Sequence, residues 1–309
     1  MRFRVVFDTT VVRGVIHRDS AATPLEKLYP YRETLSMAIA DNAVAELALA
    51  LYDARLDWNE WGDRIHLVDR LLDRTSPIFP DDRELEHISI GPVAERDTAL
   101  PRHEHSVAIW DLLRRARALD DLMRGPSFTG SDGVEYWIES SKELVTQLVA
   151  AHRDRWRNTI GELQKQIIGH HPTQNYVAEV QFKALFGGRP NEAMLRERYD
   201  GYVRTISRFF ALALQHRSPY DPNTEKRRGD SFDIALVMAL GLPALICTLD
   251  DRLRTHVKES GSAQVSQVLT PHELFEGAEQ GNLSTRLPER FRDEWYHGTY
   301  VVVTKFLEH

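Results

Sequence analysis

One cysteine, Cys247, is present among 309 residues. A lone thiol forms no intramolecular disulfide and no cysteine-based zinc or iron–sulfur centre, and the apolar neighbours Ala244, Leu245 and Ile246 put it on a buried strand. Long apolar runs are also missing. No stretch approaches the roughly 20 residues needed to cross a bilayer, and residues 1–8 enter a strand-like segment without the layout of a secretion signal. A cytoplasmic protein with no membrane partner is expected. Positive charge is in deficit, with 39 Lys and Arg against 46 Asp and Glu for a net charge of -7. That balance argues against a broad nucleic-acid surface and leaves room for a local basic patch. Neither an internal repeat nor a low-complexity tract is present. His103, His105, His170 and His171 have no third ligand at zinc spacing.

With 42% hydrophobic and 28% charged residues, the composition is that of a packed globular chain. Residues 4–7 are a short apolar run ending in Asp8, the pattern of a buried parallel strand that delivers an acid at its C-terminal edge. Residues 34–40 read as a second strand, with Asp41 or Asn42 placed to cap a helix carrying Val44, Glu46, Leu47 and Leu51. Residues 76–79 read as a third. From 104 to 217 the text is helical: Val107, Trp110, Leu113 and Leu119 fall near helical spacing, as do Trp137, Leu144, Leu148, Trp156, Ile160, Leu163 and Ile167. Breaks at residues 125–133 and 187–191 divide this region. The α/β pattern resumes with a helix over 231–240, a strand over 244–248 leading into Asp250 and Asp251, a short strand over 264–269, and a helix opening at Pro271.

Four places in this frame put carboxylates at strand ends or helix starts: Asp8, Glu46, the pair Asp230 and Asp233, and Asp250 with Asp251. Parallel neighbouring strands would bring them to one sheet edge, where carboxylates repel one another unless a cation is present. Mg²⁺ or Mn²⁺ suits such oxygen ligands. Asp230 and Asp233 compete for one role, with Asp233 expected at the site and Asp230 as a helix cap. Asp251 is expected nearer solvent. Lys226, Arg227 and Arg228 precede the acidic helix and could meet phosphates, while Arg153, Arg155 and Arg157 alternate along a helix and are expected on a solvated surface.

The segments FDTTVVRGV, ADNAVAEL, GDSFDIALVMALGLPALICTLDDRL and QVLTPHEL resemble the successive acidic motifs of the PIN-domain ribonucleases, including the Thr248-x-Asp250-x-x-Leu253 turn. The resemblance covers roughly residues 2–95 and 205–275. It implies an α/β fold, a parallel-sheet PIN-like α/β/α core over 1–103 and 218–280, elaborated by a mostly helical insertion over 104–217 packed on the core. A C-terminal extension, 281–309, ends in Leu307-Glu308-His309, which reads as a tag remnant. The implied activity is a Mg²⁺- or Mn²⁺-dependent endoribonuclease acting on RNA. Asp8, Glu46, Asp233 and Asp250 would be catalytic, with Asp230 joining them around the metal and Lys226, Arg227 and Arg228 on RNA phosphates. An inhibitor or antitoxin protein is the further partner the resemblance allows, although this chain is much longer than the small toxins of that family. Two alternatives fit the same pattern: a catalytically inert PIN-like binding module, and a haloacid-dehalogenase-like phosphatase, whose second acid would fall where this chain has Thr10.

Overall fold

The computed structural model describes residues 3–79, 102–123, 127–129, 135–137, 141–166, 173–189, 191–215, 221, 224, 229–291, 295–297 and 300–302. Strand β1 (Phe3–Phe7) feeds helix α1 (Thr9–Ile16), and after a 3-10 stretch β2 (Leu35–Ala40) feeds α2 (Asp41–Tyr52), α3 (Trp58–Leu71) and β3 (Ile78–Phe79). The next region runs through α4 (Arg102–Arg115), α5 (Leu119–Met123), β4 (Ser127–Thr129), β5 (Glu135–Trp137), α6 (Ser141–Gln166), α7 (Gln174–Phe186), α8 (Glu192–Arg198) and α9 (Asp200–Gln215). Alternation returns with α10 (Asp230–Leu236), β6 (Ala244–Cys247), α11 (Asp251–Glu259), β7 (Val268–Leu269) and α12 (Pro271–Glu279), before a final hairpin of β8 (Trp295–His297) and β9 (Tyr300–Val302). No helix among the described residues is long and apolar enough to cross a membrane.

The main sheet has the order β3-β2-β1-β6-β7 with every pair parallel, so the fold is α/β. Strands β2 and β6 are buried at every position, which is why they read as continuous apolar runs and not as alternating ones. Val5 pairs with Met37 on one side and Leu245 on the other. The chain grows from β1 towards β2 and β3 in one direction and towards β6 and β7 in the other, leaving a crevice at the C-terminal ends of β1 and β6. Asp8 and Thr248 leave the sheet at that point. The charged Arg4 is buried within β1 and is accommodated because Ser36 Oγ accepts from it at 2.7 Å and Ser76 O at 2.9 Å.

Helices α4 and α6 pack on α2, and α9 packs on the 3-10 turn Val237–Gly241 that follows α10. His152 of α6 is buried with Nε2 2.9 Å from Ser231 O, and its ring stacks on Phe232 at 5.2 Å. Trp110 and Trp156 are core residues, the latter against Phe210 at 5.7 Å. Gly241 is required by close approach: a methyl there would overlap the Tyr199 ring.

Several local expectations are corrected. The region 104–217 is not purely helical, because β4 and β5 pair antiparallel and Trp137 sits in a strand, not on a helix face. The strand expected over 264–269 shrinks to Val268–Leu269, preceded by a 3-10 turn. Two buried glutamines lie in that turn. Gln264 Nε2 donates to Arg198 O at the end of α8 at 2.8 Å, and Gln267 Nε2 donates to Ala244 O of β6 at 2.8 Å, so a side chain and not a strand backbone satisfies that β6 carbonyl. The helix expected over 231–240 ends as α-helix at Leu236 and tightens into the 3-10 turn. Neither Asp41 nor Asn42 caps α2, whose cap position is Ala40. Asp41 instead accepts from Ser106 Oγ at 2.5 Å, and Asn42 Nδ2 donates to Phe232 O at 2.8 Å, tying α2 to α4 and to α10.

Candidate active site

Asp8 follows β1 and caps α1, accepting from Thr9 N at 2.6 Å through Oδ1. Its Oδ2 accepts from two hydroxyls, Thr10 Oγ1 at 2.6 Å and Thr248 Oγ1 at 2.8 Å. Those hydroxyls accept in turn from Leu249 N at 3.1 Å and Asp250 N at 2.9 Å, so each threonine gives its one proton to Asp8 and holds the β6–α11 turn with its lone pairs. Burial pushes the Asp8 carboxyl up; the hydrogen bonds from Thr10, Thr248 and Thr9 oppose that rise, and the charge of Asp250 adds to it.

Glu46, half-buried on α2, accepts from Thr9 Oγ1 at 2.5 Å. Desolvation is the largest influence and lifts its pKa to about 7; Thr9 works against this, Asp8 reinforces it, and Arg13 and Arg153 favour the anion without prevailing. Asp233 of α10 is buried and is pushed well above the usual carboxylate range by desolvation and then by Asp8 and Asp250, with Arg252 pulling the other way. Asp250 caps α11, its Oδ1 accepting from Arg252 N at 2.7 Å and Leu253 N at 3.0 Å.

Asp8, Glu46, Asp233 and Asp250 line one cavity of about 130 Å³ together with Thr9, Thr10, Arg13, Arg55 and Arg153. Asp230 is not in that lining. It pairs with Arg252, whose guanidinium also reaches Asp233 Oδ2 at 3.4 Å. Nor does Asp230 cap α10: the cap position is Gly229 and no side chain serves it. Comparison of the chain with protein-family models, curated proteins and solved structures finds no match.

The donor set is all oxygen and carries an excess of carboxylate, which in kind suits a hard divalent ion. As the side chains stand, no three His, Cys, Asp or Glu among the described residues are gathered so that they could hold one ion. Three features occupy their oxygens: the threonine hydroxyls on Asp8, the backbone N–H groups on Asp250, and Arg252 beside Asp233. The residues therefore suit a divalent ion in the chemistry of their oxygens and share one cavity, but they are not gathered around one point, and Arg252 stands as the cation beside Asp233.

Asp251 is exposed and meets Arg254 at 3.4 Å, as its reading as a surface residue implies. Lys226, Arg227 and Arg228 lie outside the described residues, as do His170 and His171. His103 and His105 fall on α4, with their side chains outside the described ones. The expected solvated surface for Arg153 is corrected, because this residue lines the acidic cavity. Arg157 does sit near the surface, with Asp154 at 2.9 Å. Sequence reasoning also passed over Arg13, Arg55 and Arg252. Arg13 had a legible signal: it lies four residues beyond Thr9, on the same face of α1. Nothing local marked Arg153.

Proposed function

We propose that the chain is a divalent-metal-dependent endoribonuclease with a PIN-like core, cutting RNA phosphodiester bonds with Mg²⁺ or Mn²⁺ at the cavity lined by Asp8, Glu46, Asp233 and Asp250. One observation carries this reading. Four carboxylates from four elements share a small cavity at the crevice edge of a parallel sheet, and burial and mutual repulsion raise the pKa of three of them. Buried like charges cost stability unless a cation uses them.

Asp8, Asp233 and Asp250 would hold the ion, with Glu46 completing the set or orienting water. A bound ion supplies a water of lowered pKa and stabilises the leaving oxygen. The chain's own contribution is positional and acid–base. Thr10 and Thr248 fix the rotamer of Asp8 and favour its anion against the effect of burial, and Thr9 fixes Glu46. With a pKa of about 7, Glu46 takes or gives a proton at its carboxylate near neutral pH. The deciding experiment is incubation of mixed cellular RNA with the protein and Mn²⁺, with and without chelator, alongside Asp8→Asn and Asp250→Asn. Cleavage that survives exhaustive chelation, or near-wild-type cleavage by either variant, would sink the reading.

The inert PIN-like binding module is favoured by one observation, the presence of Arg252 where Asp230 and Asp233 meet. A chain that balances its own acids needs no ion. Calorimetric titration with Mn²⁺ separates the two: no binding heat together with intact RNA is the outcome for the binding module. The phosphatase alternative loses ground, since Thr10 holds Asp8 as a hydrogen-bond donor where that chemistry calls for a general acid.

A further inference from the structure

We propose that Arg13, Arg55 and Arg153 form a phosphate subsite in the wall of the acidic cavity, so that the helical region between the two parts of the α/β core supplies a substrate-binding residue. The phosphate is taken to belong to single-stranded RNA, and that identification rests on the ribonuclease reading. Three guanidiniums from distant parts of the chain line one cavity. Arg13 projects from α1, one helical turn beyond Thr9. Arg55 follows α2, its N–H bonded to Ala50 O at 2.7 Å, and its side chain is 40% exposed beside Asp53 at 3.2 Å, so this part of the lining opens to solvent. Arg153 comes from α6, and its place is fixed by the preceding residue: His152 is buried against Ser231 and Phe232 on the helix that carries Asp233. Arg13 and Arg153 both lie within electrostatic reach of Glu46.

Guanidinium groups keep their charge and bind phosphate oxygens through two parallel N–H donors. A cavity of about 130 Å³ is well below the roughly 300 Å³ at which drug-sized ligands begin to fit. A phosphate with its immediate neighbours fits that space. Arginines set beside acids also solve a chemical problem. The acids alone would repel a phosphodiester, and an adjacent cationic wall lets a neighbouring phosphate of the same strand dock while the scissile one faces the carboxylates.

The test is fluorescence anisotropy with a short labelled single-stranded RNA in chelator over a series of salt concentrations. Arg153→Ala and Arg13→Ala should each weaken binding about tenfold and reduce the slope of log K against log salt by about 0.7, the value for one fewer phosphate neutralised on a single strand. Arg153→Lys should keep the slope. Arg153→Met, which preserves the packing of the stem, should behave as Arg153→Ala. A residue that merely props up the fold would not change the slope. Unaltered slope and affinity in the alanine variants, or no RNA binding by the wild type, overturns the subsite. Running Mn²⁺-dependent cleavage in parallel keeps the two claims apart. Cleavage with arginine-independent binding removes the subsite and leaves the ribonuclease, and arginine-dependent binding without cleavage does the reverse.

Discussion

The Thr248 hydroxyl donates to Asp8 Oδ2 at 2.8 Å, joining residues 240 apart in sequence at the ends of adjacent strands. Thr248 is fully buried, so Thr248→Val keeps the shape and removes both the donor to Asp8 and the acceptor for Asp250 N. A hydrogen bond to a charged group contributes about 1.5–3 kcal/mol, and loss of that order is expected in denaturant unfolding at neutral pH. The loss should shrink in acid, where Asp8 is protonated and needs the donor less. Equal stability of Thr248→Val and wild type at neutral pH would show that this bond does not tie the strands.

Asp233 and Asp230 should separate cleanly. Asp233→Asn is expected to abolish Mn²⁺-dependent RNA cleavage and to raise the melting temperature in chelator, because it removes an acid whose ionisation burial, Asp8 and Asp250 disfavour. Asp230 sits outside the cavity lining and pairs with Arg252. Asp230→Asn should therefore leave cleavage within a few-fold of wild type. The reverse pattern would move the site acid to Asp230.

The raised pKa of Glu46 sets a pH dependence of stability. The folded state holds its proton up to about 7 and the unfolded state only to 4.5, so this group's contribution is fully present below 4.5 and is lost as pH rises through about 7. His256 works in the opposite sense. Burial, then Arg208 and Arg252, lower its pKa from 6.5 to about 4, and its contribution is lost as pH falls through that window. Because His256 is common to both proteins, the difference between wild type and Glu46→Gln isolates the carboxylate. In chelator, the melting temperature of wild type relative to Glu46→Gln should fall between pH 4.5 and about 7. A flat difference would mean that Glu46 titrates normally.

Gly241→Ala tests how closely the helical region docks. A methyl group at this position meets the ring of buried Tyr199, between the turn after α10 and the start of α9. Overpacking of this kind costs about 1–3 kcal/mol, to be read as a lower denaturation midpoint. A neutral effect would show that Tyr199 can move aside.

Some of this was legible in the residues alone. A strand buried on both faces is mostly apolar, so residues 4–7, 35–40 and 244–247 announce themselves although Arg4 and Ser36 are buried among them, and an acid placed directly after such a run, as Asp8 is, points to the sheet edge. The Pro271 helix start is likewise local, since Thr270 and Glu273 close a capping box within four residues. Periodicity reports only whether a side chain faces inward or outward from its own element, not what it meets there. The pairing of Arg252 with Asp230, the presence of Arg153 among the acids, and the burial of Gln264 and Gln267 each depend on segments that the local pattern does not name. Packing decided them, because a buried charge or amide settles wherever the folded chain offers it a partner, and that partner is chosen by the tertiary structure and not by its neighbours along the chain.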